Sequence, residues 1–242
     1  MFNSPEEVLK YVKDEGVEFI DIRFTDLPGV QQHFNVPASN FNLESFTEGQ
    51  MFDGSSIRGF AAIHKSDLKL IPDPATAYLD PFRKAKTLNI NHSIVEPRTG
   101  EVYDRDPRQV ASKAEAYLKT TGIADTVYFG PEAEFYIFDE IRYESKMNTA
   151  SYFIDSEEGY WNTGRVEEGG NLGYKTNVKG GYFPVSPYDH HADIRDEIST
   201  ELMAAGLKLE RAHHEVGTGG QAEINYQFDT LTHAADQILM FK

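Results

Sequence analysis

The sequence predicts an α+β protein of two domains, on three observations. The first hundred or so residues read as one helix followed by about four or five short strands, the pattern of a small α+β domain. A polar stretch containing Pro97 and Gly100 and running to Asp106 then interrupts the pattern. Beyond it, helices return together with an aromatic strand and a glycine-turn hairpin. The expected domains are therefore 1–103 and 104–242, and 242 residues leave room for two of ordinary size.

Ser4-Pro5-Glu6-Glu7 starts the first helix: Ser4 caps, Pro5 suits the first helical position and Glu7 completes a capping box. Gly16 ends it. Val17 to Phe24 alternates as a strand, with Phe19, Asp21 and Arg23 on one face and Ile20, Ile22 and Phe24 on the other. Leu27-Pro28-Gly29 turns the chain into a second strand, Val30 to Val36. Further strands are expected at Leu68 to Ile71, Ala77 to Asp80 and Thr87 to Val95. Asp106-Pro107-Arg108-Gln109 opens a helix closed by Gly122, with an apolar stripe of Val110, Ala111, Ala114, Tyr117 and Leu118. Val127 to Phe138 is the aromatic strand, and residues 139–187 read as long loops. Asp189 to Ala205 is a helix closed by Gly206. Strands Leu207 to Val216 and Gln221 to Phe228 are joined by Gly217-Thr218-Gly219-Gly220. Thr230 caps a last helix with Leu231, Ala234, Ala235, Ile238 and Leu239 on one side. The sequence stops at Lys242 inside that pattern, which reads as a chain cut within a larger protein.

Composition narrows the function classes. Hydrophobic residues make up 40% and aromatic ones 12%, enough for a sizeable core. A formal net charge of −16 argues against a general nucleic-acid binder and suits a partner of metal ions or small molecules. There is no cysteine, so no disulfide framework. No apolar run approaches the roughly 18 residues of a membrane span, and the N-terminus lacks the basic and apolar regions of a signal peptide. A cytoplasmic protein with no membrane attachment is expected.

Three constellations carry chemistry. In Gly130-Pro131-Glu132-Ala133-Glu134-Phe135-Tyr136, the strand period puts Glu132 and Glu134 on the same side, about 6.8 Å apart. Paired carboxylates repel by roughly 1 to 4 kcal/mol at a separation of about 4 Å, and a hard divalent cation such as Mg²⁺ or Mn²⁺ removes that cost. The plainer reading is the solvated face of an edge strand. In His213-His214-Glu215-Val216-Gly217-Thr218-Gly219-Gly220-Gln221-Ala222-Glu223, the tight turn brings Glu215 and Glu223 together beside His213, with Glu223, Asn225 and Gln227 sharing a face. That is a second candidate ligand set, or a surface hairpin with ordinary charges; the helical HExxH spacing of zinc proteases is missing. Met51-Phe52-Asp53-Gly54-Ser55-Ser56-Ile57-Arg58-Gly59-Phe60 is a tight hydrogen-bonding loop, and as a lone pattern it is usually just a turn. Lys179-Gly180-Gly181-Tyr182-Phe183-Pro184 is equally a ligand-approach loop or a turn. Neither GxxxxGK[ST] nor GxGxxG occurs, so a nucleotide would bind by another scheme.

Taken together, FTDLPGVQQHF, MFDGSSIRGF, SDLKLIPDP, DPFRKAKTLNI, YDRDPR, TGIADTVYFGPEAEFYIFD, EGGNLGYK, KGGYFPVSP, HHEVGTGGQAEINYQF and HAADQILMFK resemble the N-terminal half of type I bacterial glutamine synthetases. They stand in family order along essentially the whole chain. The resemblance implies a β-grasp-like domain, then the start of a catalytic domain with an antiparallel sheet and helices. It implies ligation of ammonia to L-glutamate at the expense of ATP, through a γ-glutamyl phosphate, in a cytoplasmic dodecamer of two hexameric rings. Glu132, Glu134, Glu215 and Glu223 match ligands of two Mg²⁺ or Mn²⁺ ions. Glu210 and Tyr226-Gln227-Phe228 match ATP contacts. Asp53 and Ser56 match a loop that reaches the neighbouring subunit's site, where the acid handles ammonium. Tyr182 matches a position by the ammonium pocket, and His213 one near the transferring phosphate. A related ligase using another amine shares this fold, but the intact Asp53-Gly54-Ser55-Ser56 loop favours ammonia. The family's later segments, a glycine-rich stretch ending in His-x-His and a glutamate-binding arginine loop, have no counterpart here. The chain taken alone is expected to be a non-catalytic fragment or assembly module.

Overall fold

The computed structural model describes residues 2–171 and 173–242; Met1, and Leu172 of the EGGNLGYK stretch, lie outside them. Ser4 caps the first helix, α1 (Pro5–Asp14), by accepting the Glu7 N–H at 3.3 Å. The reciprocal half of the expected box is displaced by one residue, because Glu7 Oε2 accepts the Asn3 N–H at 2.7 Å instead. Then follow β1 (Phe19–Thr25), β2 (Gln31–Pro37), a short helix α2 (Leu43–Glu48), β3 (Gln50–Asp53), β4 (Asp67–Pro72), β5 (Tyr78–Leu79) and β6 (Thr87–Val95). Helix α3 (Pro107–Thr121) starts where the Asp106 carboxylate accepts the Arg108 N–H at 3.0 Å and stops at Gly122 in the left-handed region. The remainder comprises β7 (Tyr128–Phe129), β8 (Glu132–Tyr136), β9 (Glu140–Ser145), β10 (Ala150–Asp155), α4 (Ala192–Ala204), β11 (Leu209–His214), β12 (Gln221–Tyr226), β13 (Asp229–Thr230) and α5 (Leu231–Phe241).

These elements fall into two compact units, one made of Met1–Phe129 with Phe228–Lys242 and the other of Gly130–Gln227. In the first, the sheet runs β2-β1-β6-β4-β3, with β5 also on β6. Its central pair, β1 and β6, is parallel and its other pairs are antiparallel, the β-grasp-like arrangement expected. Ile20, Ile22 and Phe24 enter the core as their alternation predicts, meeting Leu68, Leu70, Leu88, Ile90 and Ile94 under Val8 and Val12 of α1. Each such aliphatic side chain contributes about 1.5–3 kcal/mol by leaving water. The opposite face of β1 is polar but also covered. Asp21 is buried there, pairing with Arg23 at 2.8 Å and His33 at 2.6 Å.

Helix α3 does not bury the stripe its periodicity predicts, since Val110 and Tyr117 are exposed. Polar groups fasten it instead: Arg108 binds Asp236 of α5, and Glu115 accepts the Thr232 hydroxyl at 2.5 Å. Thr230 occupies the N-cap position of α5 but makes no side-chain capping bond.

In the second unit β8, β12 and β11 form an antiparallel sheet in the order β11-β12-β8. The single strand expected over 127–138 is interrupted at Gly130-Pro131, where proline offers no N–H to a ladder. The loops expected over 139–187 contain a hairpin, β9 with β10, whose residues are largely exposed. Among the described residues, no helix is long and apolar enough to cross a membrane.

Candidate functional site

The register of the three-stranded sheet sorts its side chains into two faces. Across it, Tyr136 pairs with Gln221, Glu134 with Glu223 and then His213, and Glu132 with Asn225 and then Arg211. Strand alternation places all of these on one side. Ala133, Ala222, Ile224, Ala212 and His214 take the other, where Ala133, Ala222, Ile224 and His214 are buried. The strand period therefore delivers Glu132, Glu134 and Glu223 to one polar face.

Within that face the structure gathers His213, Glu215 and Glu223 most tightly, with one ligand atom from each lying within 4.8 Å of the others. His213 Nδ1 is 3.7 Å from Glu215 Oε1, and its Nε2 is 3.5 Å from Glu223 Oε2. Asn225 Nδ2 donates to Glu223 Oε1 at 2.5 Å, and its Oδ1 accepts from Arg211 Nε at 2.9 Å. Glu134 stands next to Glu223 in register but accepts the Gln221 amide at 2.7 Å. Glu132 and Glu134 are exposed. Burial pushes the Glu223 carboxyl up; the Asn225 amide opposes this and the neighbouring Glu215 adds to it. Two carboxylates with an imidazole between them, converging within 4.8 Å, fit a hard divalent cation, which binds oxygen donors at about 2.0–2.6 Å. Glu132 and Glu134 extend the same donor chemistry along the strand.

The KGGYFPVSP segment lies over this hairpin. Gly181 N–H donates to Val216 O at 3.1 Å, and a Cβ at Gly181 would come within 2.5 Å of the Glu215 carbonyl. Only glycine permits that approach. Phe183 adopts a φ of 60°, a left-handed conformation that costs an ordinary residue roughly 1–2 kcal/mol. The result is that Tyr182 stacks on Phe183 at 3.9 Å while both rings meet His213 edge-on, at 5.6 and 4.7 Å. Tyr182 remains half-exposed beside the cluster.

Behind the sheet is a buried group that the sequence does not announce. Glu158 is 0% exposed, and its Oε2 lies 2.8 Å from Nε2 of the equally hidden His214. Its other oxygen accepts the His190 N–H at 2.5 Å. Burial alone would raise its carboxyl, but the imidazoles of His191 and His214 and the His190 N–H hold it well below the usual carboxylate range. His214 moves the opposite way: burial would lower it, and Glu158 raises it.

The remaining expected site residues are placed as follows. Asp53 ends β3 and accepts the Ser55 N–H at 2.9 Å, the Ser55 hydroxyl at 2.6 Å and the Ser56 hydroxyl at 3.0 Å. These bonds, the Ser55 hydroxyl first, hold its exposed carboxyl below the ordinary range. Gly54 tucks the turn onto Leu68, where a Cβ would sit 2.5 Å from the Leu68 side chain. Glu210 is exposed at the irregularity between Leu209 and Arg211. Tyr226 is 3% exposed, with its ring on the face opposite Glu223, so its phenol is withdrawn from the polar face. Gln227 is exposed, and Phe228 packs edge-on against Tyr128 at 5.3 Å while remaining half-exposed.

Comparison with known proteins matches both parts of the chain to one family. Residues 16–97 match the family model described as glutamine synthetase, beta-Grasp domain, and residues 104–242 match glutamine synthetase, catalytic domain. The chain is 60% identical over 242 residues to a glutamine synthetase of Mycolicibacterium smegmatis, covering 99% of this chain and 51% of that protein. It is likewise 60% identical to a glutamine synthetase of Streptomyces coelicolor, covering 100% and 50%. The cryo-electron-microscopy structure of Plasmodium falciparum glutamine synthetase superposes with a TM-score of 0.86 at 29% identity, over 99% of this chain and 47% of that one. The chain thus spans about half the length of the curated relatives it matches.

Proposed function

Because the chain belongs to the glutamine synthetase family, we propose that it supplies part of the site at which ammonia is joined to the γ-carboxylate of L-glutamate with ATP, in the cytoplasm. The single observation that carries this reading is the convergence of His213, Glu215 and Glu223 on the polar face that also holds Glu132 and Glu134. A carboxylate is a poor electrophile, so glutamate must first be activated as its γ-phosphate, which ammonia then displaces. Glu132, Glu134, Glu215 and Glu223 would hold two divalent ions, Mg²⁺ or Mn²⁺. When bound, such ions neutralise charge on a transferring phosphoryl group. His213 sits among these carboxylates and would face the transferring phosphate. Glu210 and the Tyr226-Gln227-Phe228 stretch are the proposed nucleotide contacts, the latter through Gln227, Phe228 and backbone rather than the buried Tyr226 ring.

Ammonium is not nucleophilic and must give up a proton, for which a carboxylate is the natural acceptor. Asp53 is pre-formed for that role. Ser55 and Ser56 hold its carboxylate in one orientation, their hydrogen bonds favouring the ionised form. Tyr182, beside His213, would line the ammonium pocket. In this reading Asp53 and Ser56 serve a neighbouring subunit of a dodecamer built from two hexameric rings.

The deciding experiment is direct titration of the chain with Mn²⁺, wild type against Glu223→Gln, combined with an ATP-, glutamate- and ammonium-dependent assay of glutamine formation in an active assembly containing it. Weakened Mn²⁺ binding and lost turnover are expected of the variant; unchanged values for both would overturn the reading. Light scattering that gave an active monomer would overturn the assembly.

A further inference from the structure

His214 ends β11 between His213, proposed to face the phosphate, and Glu215, a proposed metal ligand, and points to the opposite face from His213. Its ring is gripped at both nitrogens. Nε2 faces Glu158 Oε2 at 2.8 Å, and Nδ1 faces the carbonyl oxygen of Glu215 at 2.6 Å. Since a carbonyl only accepts, Nδ1–H donates to it. The ring is also wedged from the side, because a Cβ on Gly181 would lie 2.8 Å from its Cε1. Glu158 is itself fixed from a third direction by the His190 N–H, with His191 Nδ1 3.3 Å from the carboxylate.

The tip of the hairpin is tied down on the same side. Thr218 Oγ1 lies 2.7 Å from the Thr176 carbonyl and 3.3 Å from the Glu158 carbonyl, and it accepts the Tyr160 N–H at 3.1 Å. One short segment, residues 156–160, therefore holds the hairpin both at the base of the ligand pair and at its turn.

We infer that Glu158 is a positioning residue for the metal-ligand hairpin: through His214 it fixes the backbone of Glu215, and with Thr218 it fixes the turn that separates Glu215 from Glu223. This inference rests on the metal reading proposed above. A strand's side chains alternate rigidly, so holding His214 and the Glu215 carbonyl sets where the His213 and Glu215 side chains emerge on the far face. A staple that served the fold alone could sit anywhere along β11; this one grips the residue between His213 and Glu215 and, through the His214 ring, the main chain of the proposed ligand Glu215. Groups that orient metal ligands from behind commonly govern affinity by about 10–100-fold.

The test is Mn²⁺ binding to the 242-residue chain, read by electron paramagnetic resonance at a temperature where circular dichroism shows each variant folded. Glu223→Gln is the control for the site itself. Glu158→Ala is expected to weaken Mn²⁺ binding by about 10–100-fold. Glu158→Gln should recover most of the affinity, because its oxygen can still accept the His190 N–H while its amide donates to a neutral His214. If Glu158→Ala lowers only the melting temperature and leaves Mn²⁺ affinity intact, Glu158 merely holds the fold and the inference is overturned. Should Glu158→Ala fail to fold, Glu158→Asp decides, because its shorter side chain withdraws the carboxylate from His214 while keeping the charge: weakened Mn²⁺ binding supports the inference, and unchanged affinity overturns it. If wild type and Glu223→Gln bind Mn²⁺ alike, the metal reading fails in its own right and this inference fails with it.

Discussion

His213 stands directly opposite Glu223 across β11 and β12, with its Nε2 3.5 Å from the carboxylate. Its Nδ1 meanwhile lies 3.7 Å from Glu215. The histidine thus stands between the two carboxylates that flank the glycine turn, with its Nδ1 also 3.1 Å from the His214 carbonyl. A divalent ion held by these carboxylates would supply the positive charge that the pair calls for.

Loss of one charged ligand should therefore cost more than its hydrogen bonds. Glu223→Gln keeps the size and the Asn225 contact but removes the charge, and Glu132→Gln does the same at the sheet edge. Both should weaken Mn²⁺ binding and strongly lower turnover. Isothermal titration and a glutamine assay check this, and normal values for both variants would show that the carboxylates are only a solvated face.

Asp53→Asn should impair ammonia use far more than phosphorylation of glutamate. Positioned proton transfer contributes typically about 10²–10⁴-fold, so glutamine formation should fall within that range while glutamate-dependent ATP cleavage survives better. Ser56→Ala is the companion variant, since it frees one carboxylate oxygen and leaves the acid in place. An equal fall of both partial reactions in Asp53→Asn would mean that the residue shapes the loop instead of handling the proton.

His92 gives the first unit a pH-dependent stability. Burial holds its pKa down at about 4, against 6.5 for an ordinary histidine, while its Nδ1 donates to the Ile90 carbonyl at 2.8 Å. The sign follows from which state takes up the proton. Below pH 6.5 the unfolded chain protonates this residue and the folded one does not, so the stability it preserves is complete above 6.5 and declines toward pH 4. The full loss is about 3 kcal/mol. Urea denaturation at pH 7.5 and 4.5 should show a smaller difference for His92→Gln than for wild type. Equal pH dependence in the two would contradict the assignment.

What was legible in the sequence followed period. The alternation of Ile20, Ile22 and Phe24 against Asp21 and Arg23 gave the core face of β1, and the same period put Glu132 and Glu134 together. The Asp53 loop and the glycine hairpin were readable as turns. Three features were not. β9 and β10 are exposed on both sides, so they carry no apolar alternation to separate them from loop. The apolar spacing of Val110 and Tyr117 pointed to the wrong face of α3, because that helix is docked by Arg108, Ser112 and Glu115 rather than by its stripe. Glu158 is one of three acids, with Asp155 and Glu157, where β10 gives way to an irregular segment, and its partners at 190, 191 and 214 show no spacing that would single it out.

The ion pair that docks α3 gives the last prediction. Arg108 donates from Nε and Nη2 to Asp236 at 3.0 and 2.9 Å, from Nη1 to Ser93 at 2.8 Å, and from Nη2 to Asp73. Asp236 also accepts the Asn91 amide at 3.1 Å, and it is 7% exposed. Burial would lower the guanidinium's pKa, but Asp236 and Asp73 hold it charged. Removing only the arginine leaves Asp236 buried without a counter-charge, which should cost about 3–5 kcal/mol, whereas replacing both partners with apolar groups of similar size is often close to neutral. Arg108→Met should therefore destabilise strongly, and Arg108→Met with Asp236→Leu should regain much of the loss. Arg108→Lys should fall between wild type and Arg108→Met, because an ammonium cannot reproduce the two-pronged contact. Denaturant titration of these variants and of Asp236→Leu alone measures the coupling. If Arg108→Met alone costs less than about 1 kcal/mol, the pair is behaving as a solvated surface contact, and α3 must be held by something other than this arginine.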